Sequence, residues 1–471
     1  MTPLTTPLTF LRRLSLLVVV ISLVLPSWSQ QTARAKPGGV SLVDVTSKMH
    51  LVLPPAGRPP DSEVLHKPIS LGEYSLDYAR NVLLPAMGGS VAVGDLDGNG
   101  YPDLYVVLPG SSNHFFRNQR NGTFVEATDK ANLSGTRSDL SAAFGDYDHS
   151  GHASLFVAGR GGARLYRNNG DGTFTDFTDK AGIKGKPGEL ATSVLLFDAE
   201  GNGSLDLLVT IYTDLSTPPA KSSFIFPNDF SSASSHLYHN QGDGTFREVT
   251  ATAGLAENPG RTRKALAADF SHSGRMDLLL LRDNKPPALY KNMGQGKFED
   301  QTWAAGPENW KYAYLDGQIG DFNHDGKLDV ALWSTIGNQV LMNEGDGKFT
   351  PAKSLEVVFA ANRVFGLHGA VADLNGDGYD DLLIVDNNGQ WRYIANHRGR
   401  FAEASLTVPA DGTKTRKGEA GHAQPPELSC LIPVRVQKAG RLALIGVRMD
   451  GRMIALEQHP KEVKPGSSSA R

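Results

Sequence analysis

The chain holds one cysteine, Cys430, in 471 residues, so an internal disulfide is excluded and other contacts must hold the fold. Charge of one sign is also scarce. Lys and Arg number 47 against 50 Asp and Glu, a net charge of −3, with no long single-sign block. That argues against electrostatic capture of nucleic acid, which needs a basic surface, and leaves a basic partner open. Beyond residue 30 no apolar run approaches the roughly 20 residues of a membrane helix. Uninterrupted helix-forming stretches are missing too, because 51 Gly and 27 Pro punctuate the chain. What remains is a loop-rich, all-β composition, in which length alone permits two or three domains or one large barrel or propeller.

Residues 1–29 differ from the rest. Arg12-Arg13 precede an apolar run from Leu14 to Pro26, followed by Ser27 and Ser29 around Trp28. This reads as a secretory signal peptide. Its removal takes the net charge from −3 to about −5 and predicts a secreted chain, periplasmic or extracellular, without membrane insertion. An exported protein lacking disulfides is a candidate for stapling by metal ions.

The remainder repeats. An apolar strand, an Asp-rich turn, a second strand, a phrase ending in Tyr/Phe-x-Asn, a Gly-rich turn and a Phe recur six times. The turns begin at Asp95, Asp146, Asp198, Asp269, Asp321 and Asp373, at spacings of 51, 52, 71, 52 and 52 residues. The long interval carries an insertion over about 212–235, rich in Ser, Pro and Phe. Four short strands per unit of about 50 residues are the mark of a propeller blade. Repeats at about 90–133, 141–183, 191–255, 264–306, 315–356 and 367–405 account for six blades. The phrase Leu42-Val43-Asp44-Val45-Thr46 matches the fourth strand of a unit, and Leu431–Gln437, Arg441–Arg448 and Met453–Glu457 supply three strands without a fourth. The prediction is a seven-bladed β-propeller over 30–460, its last blade made of 428–458 plus 40–46, followed by a disordered tail at 461–471. Such closure removes free strand edges.

The Asp-rich turns pattern as calcium loops. Loop one, from Asp95, offers oxygens from Asp97, Asn99 and Asp103 at positions 3, 5 and 9 and a carbonyl from Tyr101 at position 7. Hard oxygen donors in that number suit Ca2+. An EF-hand needs Glu at position 12, where Val106 stands, so this loop joins two strands. Loop five (Asp321, Asn323, Asp325, Lys327, Asp329) and loop six (Asp373, Asn375, Asp377, Tyr379, Asp381) are equally complete. Loop three has Asp198, Glu200, Asn202, Ser204 and Asp206, with a longer acid at position 3. Loops two and four are poorer: Asp146, Asp148 and Ser150 end in Ser154, and only Asp269 and Asp277 are acidic in loop four. An isolated Asp-Asn-Gly run is as often a plain turn. Several complete patterns in register favour metal, in a scaffolding role.

These loops, Gly94-Asp95-Leu96-Asp97-Gly98-Asn99-Gly100 and Ala372-Asp373-Leu374-Asn375-Gly376-Asp377-Gly378 among them, resemble FG-GAP (VCBS-type) repeats, the family of the integrin α-chain propeller. Met87-Gly88-Gly89 and Leu165-Tyr166-Arg167-Asn168-Asn169-Gly170-Asp171-Gly172-Thr173-Phe174 are most similar to cartilage-acidic-protein-type propellers. The resemblance spans about residues 40–405 and implies a seven-bladed calcium-binding propeller. Many such relatives carry a further C-terminal domain that has no counterpart expected here, and a function residing there does not transfer.

Other features are plain. Gly159-Arg160-Gly161-Gly162 lacks the Lys-Ser/Thr of a phosphate loop. His149, His272 and His324, at position 4 of their loops, are expected as solvated turn residues. Phe124, Phe174, Phe246, Phe298, Phe349 and Phe401 recur in register, which packing between blades explains. Neither G-x-S-x-G nor HExxH occurs. Two functions follow: a non-catalytic binding or adhesion module for a protein or carbohydrate ligand, and, alternatively, a secreted polysaccharide lyase or hydrolase using the calcium-free face. On that face the insertion is expected beside Arg137, Arg261, Arg263, Trp310, Lys311 and Arg363. Replacing Thr213–Ser234 by a short turn is expected to leave folding intact.

Overall fold

The computed structural model describes residues 39–53, 67–84, 87–134, 138–256, 260–306, 313–334, 337–355, 368–386, 390–408, 428–437, 440 and 442–458. The signal-peptide reading at 1–29, the tail at 461–471, and Arg137, Trp310, Lys311 and Arg363 lie outside these residues.

The chain folds into seven antiparallel sheets, each a blade of four strands, with one strand added at the last. Blade one uses Ser90–Gly94, Asp103–Val107, His114–Asn118 and Phe124–Glu126. Blade two uses Asp139–Gly145, Ser154–Gly159, Gly162–Asn168 and Phe174–Asp176. In blade three the second strand, Asp206–Asp214, runs on past Tyr212, so the insertion starts only at Leu215. The first strands of adjacent blades touch in a ring that closes where Leu428–Arg435 meets Ser90–Gly94.

Closure is as the sequence predicts. Val40–Asp44 pairs antiparallel with Met453–Gln458, Leu42 opposite Gln458, to become the fourth strand of blade seven. Thr46 then accepts the Ala455 amide at 2.8 Å through its Oγ1, and the Met49 carbonyl accepts the Phe124 amide at 2.9 Å. The sequence did not announce one addition: Leu406–Thr407, leaving blade six, pairs parallel with Val40 and Ser41 and covers their outer edge.

Between blades the core is aromatic and aliphatic. Each recurring Phe is buried and meets a residue of the preceding blade: Phe349 lies 5.6 Å from Phe270, Phe401 5.6 Å from Phe322, and Phe246 stacks on Tyr147 at 5.4 Å. At about 1.5–3 kcal/mol per buried side chain, these contacts stabilise blade against blade.

The face opposite the Asp-rich loops departs from the repeat. Ser223–Phe224 in the insertion pairs with Ile69–Ser70, which lies ahead of blade one, and Tyr74 donates to the Leu215 carbonyl at 2.7 Å. Phe224, Phe226 and Phe230 are buried with Ile69, Leu83 and Leu84 in one cluster. The insertion is therefore not a free surface elaboration. Replacing Thr213–Ser234 would strip the cover from that cluster, a correction to the expected tolerance, because apolar pairing across some 150 residues is invisible to a repeat search.

Candidate metal-binding loops

All six Asp-rich loops share one backbone. Position 9 lies in the second strand, opposite the residue just before the loop: Gly94 pairs with Asp103, Gly320 with Asp329 and Ala372 with Asp381. The position-1 aspartate accepts the amides of positions 5 and 6 in every loop. In loop one these are Asn99 at 2.9 Å and Gly100 at 2.6 Å; in loop two, Ser150 and Gly151, both at 2.9 Å. Position 6 is always Gly at positive φ, such as Gly100 at 82° and Gly326 at 83°, where a Cβ is disfavoured. Position 4 is also left-handed, and His149, His272 and His324 sit there at φ 53°, 56° and 58°. They are exposed, as expected, but the His324 ring additionally stacks on Tyr379 of the next loop at 4.2 Å.

The position-9 carboxylates are buried. One oxygen of Asp103 accepts the Leu96 amide at 3.1 Å, and the other accepts the Asn118 amide at 2.8 Å. Asp206, Asp329 and Asp381 repeat both bonds. Burial pushes Asp103, Asp329 and Asp381 up to about 7, against the pull of those amides. Buried carboxyls with neighbouring acids are fit to receive a cation. In loop one, carboxylate oxygens of Asp95, Asp97 and Asp103 all lie within 4.8 Å of one another. The donor chemistry thus suits a hard divalent ion. The position-5 side chains of the complete loops turn toward the position-7 amides: Asn99 to Tyr101 at 2.9 Å, Asn202 to Ser204 at 2.8 Å, Asp325 to Lys327 at 2.9 Å and Asp377 to Tyr379 at 3.0 Å. The poorer loops keep the frame: Ser273 and Gly274 donate to Asp269, while Asp277 accepts the amides of Ser271 and Asn292.

Sequence reasoning missed the role of the asparagine at or near the end of the third strand in blades one to six. Asn168 Nδ2 donates to the Leu96 carbonyl of the previous blade at 2.9 Å and to Ala153 of its own at 3.0 Å. Asn240, Asn292, Asn343 and Asn396 do the same. The recurring Tyr/Phe-x-Asn phrase was its signal. On the opposite face, Arg261 is buried and engaged: it bonds Asp283 at 2.7 Å and the Pro227 carbonyl at 2.9 Å, beside the Tyr212 ring. Arg263 lies over the same ring. Arg261 is thus a structural residue and not part of an open catalytic cleft.

The model of the FG-GAP-like repeat matches four stretches of the chain, 95–157, 151–209, 269–332 and 321–384; three of them contain two whole Asp-rich loops, and 151–209 starts within loop two and contains loop three. The chain is an FG-GAP repeat propeller. The gap between matches coincides with the insertion, which breaks the 52-residue spacing. The propeller is 27% identical to cartilage acidic protein 1 of Homo sapiens over 173 residues and 28% identical to that of Mus musculus over 176 residues. These alignments cover 35% of the chain and 26% of each relative. Among solved structures it is similar to an Agrocybe aegerita lectin described for recognition of non-reducing terminal N-acetylglucosamine, at 21% identity and TM-score 0.44, covering 67% of this chain and 79% of the lectin. It is also similar to BBS1N, solved in complex with ARL6DN, at 10% identity and TM-score 0.46, covering 79% and 92%. At these scores nothing about function follows.

Proposed function

We propose that this FG-GAP propeller is an exported, calcium-stabilised module that binds a protein or carbohydrate partner and catalyses no reaction. The observation that carries the reading is the meeting of Asp95, Asp97 and Asp103 oxygens in loop one, within a backbone that five further loops reproduce. The residues that would hold Ca2+ are those at positions 1, 3, 5 and 9 of loops one, three, five and six, with the position-7 carbonyl. Bound calcium would supply positive charge to buried carboxylates and tie the first two strands of a blade. Export is supported by Arg12-Arg13 with the apolar run after it and by relatives named for cartilage. Among the described residues no helix is long and apolar enough to cross a membrane.

The purified mature chain is applied to a glycan array in millimolar calcium and, separately, incubated with acidic polysaccharides. The expected result is retention on particular glycans, or on an extracellular protein partner, that chelator reverses, with no bond cleavage. Reproducible product formation would overturn the non-catalytic reading.

A further inference from the structure

In five of the six loops the strand-three residue just before the recurring asparagine follows the charge of loop position 3. In loop one, Arg117 Nε and Nη2 lie 2.9 and 2.5 Å from Asp97 Oδ2. In loop two, Arg167 Nε lies 2.9 Å from Asp148 Oδ2, and in loop three His239 Nδ1 lies 3.4 Å from Glu200. Loops five and six carry the neutral Asn323 and Asn375 at position 3, and there the equivalent strand residues are Met342 and Ala395. Loop five has a cation of another kind: Lys327 Nζ sits 2.7 Å from Asp325. Among the described residues, loops three and six have no Lys or Arg within ion-pair distance of their donors: in loop three His239 lies 3.2 Å from the buried Asp206 as well as near Glu200, whereas in loop six the basic group is His397, at 3.8 Å from Asp377.

We infer that Arg117 and Arg167 are built-in counter-cations that occupy the position-3 carboxylate and compete with a metal ion for it, so that loop six is the tightest calcium site and loop one is weaker than its donor count implies. The inference rests on the calcium reading above. Its physical basis is simple. A guanidinium on Asp97 repels a divalent ion placed among Asp95, Asp97 and Asp103, and the ion must either share that carboxylate or displace the arginine. Where position 3 is a neutral amide, no neutralising partner is needed, and strand three carries an apolar residue. Loop four departs from the pattern: position 3 is the neutral Ser271 while the strand residue is Lys291, which makes no ion pair among the described residues.

Calorimetric titration of calcium into the intact mature chain decides it, with Asp377→Asn, Asp97→Asn, Arg117→Met and Met342→Arg as variants and circular dichroism as the check on folding. The expected result is loss of the tightest site in Asp377→Asn and its retention in Asp97→Asn. Arg117→Met should gain roughly tenfold affinity at one site, the scale of one unit charge removed from beside the ion, and Met342→Arg should weaken one. Loss of the tightest site in Asp97→Asn, or affinities within about twofold of wild type in Arg117→Met, would overturn the inference while leaving calcium binding intact. Absence of calcium heat in the wild type and in every variant would overturn the calcium reading and this inference with it. Should Arg117→Met misfold, Met342→Arg carries the same test with opposite sign.

Discussion

The two faces of the propeller are built on different principles. The loop face repeats: one position-1 aspartate, one left-handed glycine and one buried position-9 group recur at fixed spacing, and each contact is local to a blade or reaches only its neighbour. The opposite face is unique, because it joins the segment ahead of blade one to an insertion in blade three through Ile69, Tyr74, Phe224 and Phe230. Repetition shares the cost of an interface over many equivalent sites, whereas the aromatic cluster depends on a few large side chains with no substitute.

That contrast can be broken experimentally. Phe224 is fully buried, with Tyr74 at 5.3 Å and Phe230 at 5.4 Å, and Phe224→Ala should lower unfolding free energy by about 3–5 kcal/mol in denaturant titration. An early, separate transition of smaller size would instead mark the cluster as an independently melting unit. On the loop face, Asn343→Ala removes donors to the Phe270 and Leu328 carbonyls and should cost about 2 kcal/mol, since one of several equivalent bridges is lost. A cost as large as that of Phe224→Ala would show that the ring is no more tolerant than the cap.

The smallest effect expected is a pH dependence near the insertion. His236 Nε2 lies 3.1 Å from Glu189 and its other ring nitrogen 3.5 Å from Glu248. The hydrogen bond to Glu189, with the carboxylate charge, raises the imidazole above 6.5 against the opposing effect of burial. Burial opposes ionisation of Glu189 in turn, but His236 and the Lys186 amide outweigh it and hold the carboxyl below 4.5. The histidine's contribution is complete below its unfolded value and fades as pH rises through its raised folded value. The glutamate's is present above its unfolded value and fades as pH falls through its lowered one. The pair is therefore most stabilising at about pH 5–6. Raising the pH from 6 to 8 should lower the wild-type melting temperature by about 2 °C more than that of His236→Gln; parallel curves would remove this pair from the account.

Much of this architecture was legible in the sequence because it is periodic. Asp95, Asp321 and Asp373 fall in register, and the phrase around Leu42 matches a fourth strand, so blade number and closure follow. What stayed hidden is aperiodic or double-purpose. Nothing local tells that Phe224 meets Ile69, or that Arg261 turns inward to Asp283. The donor count ranked loops one, five and six alike, while Arg117 on Asp97 separates them, and that pairing spans two strands whose register only the fold sets. The role of the strand-ending asparagines was half visible, as a repeated letter without a partner.

The central claim, that the loop face carries calcium in a scaffolding role, is tested most directly by thermal unfolding of the mature chain in excess chelator against excess calcium. At dissociation constants of about 0.1–1 mM and 10 mM calcium, each filled site should add about 1.4–2.7 kcal/mol, so the melting temperature rises with calcium and falls again on chelation. Superimposable unfolding curves in chelator and in calcium would contradict it.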